Sequence, residues 1–472
     1  MRSTDSVPVT SDLSQQLRRR LNQRQLSMLA IGGAIGVGLF LGSGVTIQLA
    51  GPGVILSYLF GAIVALIVAF SLVEMAVVHP DAGSFGVYAE TYLSRWAGFA
   101  VRATYGFVQM IAIGAEVTAV AIYFAFWFPT SPQWIWVLTV SICLITINSL
   151  QVARFGEFEY WFALIKVIAI LVFIAVGAVL IFGTRRPIGL GNLTANGGFL
   201  PHGWTGVWLA LTLVLTSYMG VEVIAVTAGE AEKPQETIPK AMRTIVFRLI
   251  LFYVLAMTVM LAMTPWNQAG AGNGLTGSPF VRAFAIVGIP YAAGVMNVVV
   301  ITAALSSCNT DLYLTTRMLF SLSRGRYLPS WVGTLSKSGV PQRALVISSA
   351  GMGAAILLAI FAPAKAFLAL YGIAVAGMFF VWTVILVTHL AFRQALGPER
   401  VAQLPMRLSF YPFSTVTAIV AMLAITTATF FVPGLEVTVP AFACFLAAVT
   451  IAYWIVRRRG NFVSIGSNTE DA

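Results

Sequence analysis

Long apolar blocks with almost no charge dominate this chain. Blocks such as Val54–Phe70, Leu164–Phe182 and Ala344–Ala362 approach 20 residues, about the length that a helix needs to cross the roughly 30 Å hydrocarbon core of a bilayer. Only 10% of the 472 residues are charged, whereas a soluble domain carries about 25%. A soluble globular protein is therefore excluded, and the sequence predicts an all-α membrane protein.

The apolar blocks divide into twelve predicted transmembrane helices between two polar tails, 1–24 and 457–472. Helices one to five occupy 25–183, helices six to ten occupy 204–392, and the last two occupy 412–456. The individual spans are predicted at 25–49, 53–78, 97–127, 134–151, 158–183, 204–230, 241–263, 289–322, 344–362, 366–392, 412–432 and 437–456, with only Gly51-Pro52-Gly53 between the first two.

Positive charges are distributed unevenly between the two sides of these spans. With a cytoplasmic N-terminus, 23 of the 28 Lys and Arg residues fall on the cytoplasmic side and four fall in outer loops. Cytoplasmic loops carry such an excess, so we expect a multi-pass protein of the inner (cytoplasmic) membrane with both termini in the cytoplasm. The net charge of +11 then reflects topology rather than nucleic-acid binding. The N-terminal tail lacks the apolar stretch of a signal peptide.

Cysteine and histidine are too sparse for a metal site. The three Cys and three His residues are scattered along the chain, so neither a disulfide framework nor a ligand pair is expected. The loops are too short to bury a core of their own. A membrane enzyme or sensor would need a metal, a nucleophile cluster or a soluble domain, so we expect no enzyme and no cofactor.

The first span contains six glycines within residues 31–44. Each costs about 1 kcal/mol against alanine in a helix. The spacing does not fit a dinucleotide-binding fingerprint, and no strand precedes it. Close helix packing through small residues is one explanation. Local unwinding is the other, and it makes Ile35, Gly36, Val37 and Gly38 candidates for substrate binding.

The sixth span contains a second glycine break beside a carboxylate, in Ser217-Tyr218-Met219-Gly220-Val221-Glu222. If helices one to five and six to ten form inverted repeats, the two breaks occupy corresponding positions, which is the best sequence indication of a transporter's midplane site. Freed N–H groups at one break suit a carboxylate, and freed carbonyls at the other suit an ammonium. The pattern therefore predicts an amino-acid site that includes Ser217, Tyr218, Gly220 and Glu222.

Four ionisable residues are predicted deep within spans: Glu116, Lys166, Glu222 and Asp311. Such groups are costly in a membrane and are often functional. They either form structural pairs between helices or exchange a proton during transport, and a buried lysine is a suitable proton carrier. Glu74 and Glu230 lie near span ends, where pairing with Arg or Lys is the simpler interpretation.

The motifs resemble those of bacterial and fungal amino-acid permeases of the amino acid–polyamine–organocation superfamily, and several segments are most similar to the γ-aminobutyrate permease branch. The resemblance extends over roughly residues 20–455 and rests on Gly32-Gly33-Ala34-Ile35-Gly36-Val37-Gly38-Leu39-Phe40-Leu41-Gly42-Ser43-Gly44, Glu74-Met75-Ala76, Gly83-Ser84-Phe85, Gly156-Glu157-Phe158-Glu159-Tyr160-Trp161-Phe162-Ala163-Leu164-Ile165-Lys166-Val167, Ala228-Gly229-Glu230-Ala231, Ile238-Pro239-Lys240-Ala241, Ser278-Pro279-Phe280 and Asn309-x-x-x-Tyr313-x-x-x-Arg317.

The resemblance implies twelve helices in a sodium symporter-like fold, with a 5+5 inverted repeat, broken helices 1 and 6, and alternating access. It implies uptake of an amino acid with a proton, because the Lys166 ammonium resembles a replacement for a sodium ion. The substrate carboxylate would meet Gly36–Gly38, its ammonium would meet carbonyls near Tyr218, and the Tyr218 ring resembles a gate. Asn309 and Asp311 are further candidates in span 8.

Two departures from the family pattern leave the substrate open. Asp311 stands where a small residue is expected, so it either attracts a cationic side chain or is neutralised by pairing. The stretch Tyr371–Gly377 differs from the γ-aminobutyrate branch. The alternatives are an amino acid/amine exchanger and a γ-aminobutyrate or polyamine carrier of the same fold. The sequence does not indicate an oligomeric state.

Overall fold

A computed structural model describes residues 35–80, 83–149, 152–185, 187–226, 235–236, 238–240, 242, 250–269, 277–289, 291–336 and 339–458. The predicted N-terminal tail, the first glycines of span 1 and Glu230 lie outside these ranges. Within them the chain is helical and contains no strand. In chain order the α-helices are α1 Ser43–Ala50, α2 Val54–Val78, α3 Ser84–Tyr92, α4 Arg95–Phe124, α5 Gln133–Asn148, α6 Val152–Ala178, α7 Gly203–Ser217, α8 Val223–Val226, α9 Ala256–Met263, α10 Trp266–Ala269, α11 Pro279–Val287, α12 Ala292–Arg324, α13 Gln342–Ser348, α14 Ala350–Phe361, α15 Pro363–Ala402, α16 Phe413–Ala428 and α17 Thr438–Arg458.

Apolar helices account for most of the described chain. Eight helical segments in the described ranges are long and apolar enough to cross a membrane, and three further apolar helices are shorter. Together they overlap all twelve predicted spans, because the first two spans lie in the single segment Gly38–Val78. The prediction of an all-helical, multi-pass membrane protein is therefore confirmed. The count of twelve and the inverted repeat stay predictions.

A tight glycine turn separates α1 from α2. Gly51 has a φ of +59°, a conformation that favours glycine because side-chain residues are strained there. A β-carbon at Gly51 would also lie 2.3 Å from the Pro201 ring. The short 3₁₀ turn Gly51–Gly53 then leads into α2. This turn allows two predicted spans to follow each other with almost no loop.

Three helices, α3, α10 and α11, and one extension were not predicted from the apolar pattern. Helix α3 is short and mixed in polarity, and α11 begins at a proline whose preceding Ser278 side chain accepts a hydrogen bond from the Phe280 N–H, a typical N-cap. Helix α15 continues to Ala402, ten residues beyond the predicted span end, with non-helical backbone at Gly397. Periodicity of apolar residues detects spans but not short interfacial helices.

The long helix α4 lies at the centre of the molecule. It packs against α12, α15, α3 and α14, and α12 also packs against α6. In the most apolar 18-residue stretch of α4, 72% is buried, whereas the buried share of the corresponding stretch of α17 is 11%. Because α17 has an exposed apolar surface, we assign it to the lipid-facing periphery, and the polar side chains of α4 and α12 to the interior.

Candidate functional site

The described part of the first span starts with irregular backbone. Ile35 and Gly36 form a bend, helical geometry begins at Val37, and the π-helical turn Gly38–Gly42 leads into α1. The first N–H groups of a helix have no acceptor within that helix. Polar backbone groups are therefore available beside Gly36 at a depth where regular helices offer none.

The sixth span is interrupted after α7. Helix α7 ends at Ser217, residues 218–222 form turns, and α8 begins at Val223. Gly220 within these turns has a φ of +103°, which a residue with a side chain rarely adopts. A second, glycine-dependent interruption thus lies in the sixth span.

The start of the described part of span 1 lies against the end of α7. A β-carbon at Gly38 would lie 2.8 Å from the Ser217 α-carbon and 2.9 Å from the Tyr371 hydroxyl. A β-carbon at Gly36 would lie 2.5 Å from the Ser307 hydroxyl. The irregular backbone of span 1 therefore approaches α7, α12 and α15 at distances that only glycine permits.

A cavity opens between these interruptions and the central helices α4, α12 and α15. Its lining combines small, apolar, polar and acidic residues with two aromatic rings. The lining residues are Gly36, Val37, Gly38, Ala112, Ala115, Glu116, Thr216, Ser217, Met219, Ser307, Asp311, Phe367 and Tyr371.

Two carboxylates face the cavity. The Glu116 and Asp311 residues are 8% and 9% exposed, and both line it. Gln109 donates a hydrogen bond from Nε2 to Asp311 Oδ1 over 2.8 Å, and Ser307 hydrogen-bonds to the Glu116 carboxyl group. Glu116 Oε2 has no hydrogen-bond partner among the described residues. Buried polar atoms in native proteins are usually paired, so this oxygen is a candidate contact for a ligand.

Lys166 links α6 to the first interruption. Its side chain is fully buried, and Nζ donates to the Ile35 carbonyl over 3.0 Å. Glu159, seven residues earlier and therefore on the same face of α6, is also fully buried. It accepts hydrogen bonds from Ser306 and Asn309 of α12. One face of α6 thus contacts both the irregular part of span 1 and α12.

The Glu222 side chain forms hydrogen bonds within the turns of the sixth span and to α4. Its Oε2 accepts the Gly220 N–H over 3.1 Å, and its Oε1 accepts the Tyr105 hydroxyl over 3.2 Å. The side chain is fully buried. Glu222 therefore satisfies a backbone donor that the break exposes and connects it to α4.

A cluster of tyrosines packs behind the second interruption. Tyr218 donates its hydroxyl to the Tyr58 carbonyl, and Tyr253 donates to the Ser217 carbonyl, each over 2.7 Å. The Tyr218 and Tyr253 rings lie 4.6 Å apart. The Tyr218 ring is fully buried here, so Tyr371 rather than Tyr218 provides the phenol at the cavity wall.

The cavity brings together some predicted site residues and not others. Gly36, Val37, Gly38, Glu116, Ser217 and Asp311 line it. Ile35, Tyr218, Gly220 and Glu222 are next to lining residues in the sequence or form the breaks, and Asn309 bonds to Glu159 and accepts from Asn148. Their role in binding stays a prediction. Within the described ranges, no three His, Cys, Asp or Glu side chains converge as metal ligands do.

Several lining residues were not predicted, although some carried a signal. Ala112 is four residues before Glu116, and Ser307 is four residues before Asp311, so helical geometry places each pair on one face. Phe367 and Tyr371 are also four apart, and their rings stack 5.2 Å from each other. Glu159 was missed because it stands at the predicted start of span 5, where a carboxylate reads as interfacial.

Another buried carboxylate lies far from the cavity, at the end of α2. Glu74 accepts from Arg393 Nε over 2.7 Å and from Arg393 Nη2 over 2.6 Å. His389 Nε2 lies 3.0 Å from Glu74 Oε2, and the Leu408 N–H also donates to this carboxylate. We call these four residues the Glu74 clamp. It confirms the interpretation of Glu74 as a paired residue near a span end.

Comparisons with known proteins agree with this geometry. The family model described as "Amino acid permease" matches residues 25–466. The chain is 44% identical to the uncharacterized amino acid permease YtnA of Bacillus subtilis, over 85% of this chain and 87% of that protein. It is 37% identical to the γ-aminobutyric acid permease of the same organism, over 94% of each chain. It is also 37% identical to the aromatic amino acid transport protein AroP of Salmonella typhimurium, over 93% of this chain and 95% of that protein.

Proposed function

The chain belongs to the amino acid permease family and is a transporter rather than an enzyme, and we propose that it imports an amino acid by proton symport with alternating access. It acts in the inner (cytoplasmic) membrane with both termini in the cytoplasm. The single observation that carries the proposal is the close approach of the two interrupted spans around one cavity, at Gly38 and Ser217.

The cavity offers groups for both ends of an amino acid. The start of the helix at Val37 presents backbone N–H groups and the positive end of the helix dipole, which attract a carboxylate. The turn after α7 presents carbonyls for the ammonium, although the Ser217 carbonyl already accepts from Tyr253. Glu116, whose Oε1 lies 3.4 Å from the β-carbon position of Gly36, is a further acceptor for the ammonium.

The position of Lys166 supports coupling to protons. A charged ammonium makes a stronger hydrogen bond than a neutral amine, so loss of the proton weakens the link between α6 and Ile35. The proton on Lys166 therefore favours the arrangement of the first interruption that binds substrate. Movement of the interrupted halves around the cavity then exposes it to one side of the membrane at a time.

Uptake by the purified protein in liposomes tests the transport proposal. We expect a radiolabelled amino acid from a mixed panel to accumulate when an inward proton gradient is imposed, and accumulation to stop when a protonophore dissipates it. Sodium-dependent uptake that ignores the proton gradient would contradict symport with protons. Uptake only into liposomes preloaded with an amine or amino acid would instead support an exchanger.

Replacement of Lys166 tests the residue assigned to coupling. Lys166→Ala should retain substrate binding but lose accumulation against a gradient, because the charge-dependent link to Ile35 is gone. Lys365→Ala is the matched control, since Lys365 is exposed at the start of α15. Continued proton-driven accumulation by Lys166→Ala would show that Lys166 is structural.

A further inference from the structure

The acidic and basic side chains that line the cavity, among the described residues, all belong to one class. Two of the described lining residues are acidic, Glu116 and Asp311, and none of them is Lys, Arg or His. Lys166 bonds to the Ile35 carbonyl and is not among the lining residues. Lys166 interacts electrostatically with both carboxyl groups from outside the lining, so an amino acid bound at the helix start meets only these two acidic side chains directly.

Within the described ranges, unpaired buried acceptors occur on the lining residue Glu116 and on Gln109, which holds Asp311 from behind the lining, and the unpaired Ser217 hydroxyl in the lining can donate or accept. Glu116 Oε2 and Gln109 Oε1 are buried and have no hydrogen-bond partner among the described residues. Gln109 is 1% exposed and uses its amide N–H to hold Asp311. A buried acceptor without a donor costs about 1–3 kcal/mol. A ligand that brings several donors removes this cost, and a ligand without donors does not.

The two aromatic rings in the cavity lining suit a cation as well. Phe367 and Tyr371 stack on each other at 5.2 Å and both line the cavity. Aromatic faces attract ammonium and guanidinium groups and also pack against methylene chains. An alkyl chain that ends in a cation matches this combination of aromatic rings and carboxylates.

Resting on the proposed transport function, we propose that the substrate is a basic amino acid, with a second cationic group on its side chain. The α-carboxylate binds at Gly36–Gly38, and the side-chain cation lies between Asp311 and Glu116. Gln109 is a positioning residue that holds Asp311 in place. The α-ammonium and the side-chain cation together supply the donors that the acidic wall lacks.

Other side chains fit this wall less well. An acidic side chain would face two carboxylates, and like charges at close range are costly in a buried site. A neutral side chain leaves buried acceptors unpaired, which is how sites built for hydrogen bonding reject analogues that lack the partner. Only a cationic side chain satisfies the wall in both charge and hydrogen bonding.

Competition with matched pairs of amino acids tests the proposal in the wild-type protein. Binding is measured by scintillation proximity with purified protein, using lysine against norleucine, arginine against citrulline, ornithine against norvaline, and 2,4-diaminobutyrate against 2-aminobutyrate. The side-chain length differs from pair to pair, whereas the two members of each pair have nearly the same shape. We expect at least one basic member to compete about tenfold or more better than its neutral partner.

The Asp311→Asn variant tests the assigned wall. Asparagine keeps an acceptor for Gln109 and nearly the same shape, so the fold is retained while the charge is lost. The preference for the basic member should fall at least about fivefold. Glu157→Gln is the matched control, because it removes a carboxylate from an exposed position on α6 and should leave the preference unchanged.

The outcomes separate this proposal from the transport function. If neutral partners bind as well as or better than all basic members, the basic-substrate proposal is wrong while amino-acid transport stands. If Asp311→Asn keeps the full preference, the wall is misassigned. If no amino acid of any class binds or is taken up, the transport function fails as well.

Discussion

Buried carboxylates occur in two regions of this molecule, and their surroundings differ. In the Glu74 clamp, one carboxylate receives donors from Arg393, from a backbone N–H and from the edge of the His389 ring. In the cavity, Glu116 keeps one oxygen without a partner among the described residues. Both carboxylates are at least nine-tenths buried, so burial alone does not distinguish them.

The difference separates stability from function. A buried charge whose lone pairs are all satisfied within the protein holds elements together, and removing one partner leaves an uncompensated charge. A buried charge with unsatisfied lone pairs costs stability in the empty protein and gains a partner when a ligand binds. We therefore expect replacements in the clamp to change folding, and replacements in the cavity to change binding.

The largest effect on stability is expected from Glu74→Ala. The replacement leaves the Leu408 N–H without its acceptor and the Arg393 guanidinium with only the Leu408 carbonyl, and loss of the carboxylate from a buried pair costs about 3–5 kcal/mol. Thermal unfolding in detergent measures the loss, and Glu157→Ala, at an exposed position, is the control. A change of less than about 1 kcal/mol would mean that the clamp is not a structural contact.

A smaller effect on stability, with complete loss of transport, is expected from Gly38→Ala. The added methyl would collide with the Ser217 backbone and the Tyr371 hydroxyl, and such overpacking costs about 1–3 kcal/mol. Gly106→Ala is the matched control, because nothing lies within 4 Å of its β-carbon position in α4. Normal uptake by Gly38→Ala would contradict the close approach of the two interruptions.

A still smaller effect is expected from Tyr253→Phe. The variant removes the donor to the Ser217 carbonyl, which costs about 1 kcal/mol of stability. It also frees that carbonyl at the edge of the cavity, so substrate affinity should stay equal or rise. A fall in affinity of tenfold or more would indicate that the hydroxyl itself orders the binding site.

The smallest effect on stability is expected from Glu116→Gln, in direct contrast to Glu74. The amide retains the shape and removes a charge that is only partly satisfied. The free energy of unfolding should therefore fall by less than about 1 kcal/mol or rise slightly. Substrate affinity should nevertheless fall at least tenfold. A loss of stability as large as that of Glu74→Ala would contradict the distinction between the two regions.

Much of the fold was predictable because it follows from local pattern. Apolar blocks near 20 residues located the spans, and the glycine runs identified Gly36–Gly38 and Gly220 as sites of irregular backbone. The membrane permits few other uses for such residues, since unsatisfied backbone survives there only beside a cavity or within protein. The physical constraint, rather than any single motif, underlies these predictions.

The pairings between distant helices were not predictable in the same way. Gln109 and Asp311 are 202 residues apart, and Glu74 and Arg393 are 319 apart, so no local period connects them. The ionisable residues themselves could be selected from the sequence. Which of them would be satisfied, and which would keep an open oxygen, depends on distances between helices that no pattern along one helix encodes.

One helix joins the two regions compared above. Tyr371 at the cavity wall and Arg393 in the Glu74 clamp both belong to α15, 22 residues apart, or about 33 Å at 1.5 Å per residue. The helix is regular between them, since its kink at Gly397 lies beyond Arg393. It therefore connects the two regions rigidly: one end is held by the Glu74 clamp, and the other end forms part of the cavity wall. A cross-link or antibody that tilts the clamp end of α15 would therefore move the aromatic residues of the cavity wall. Transport would then change in response to an event far from the substrate.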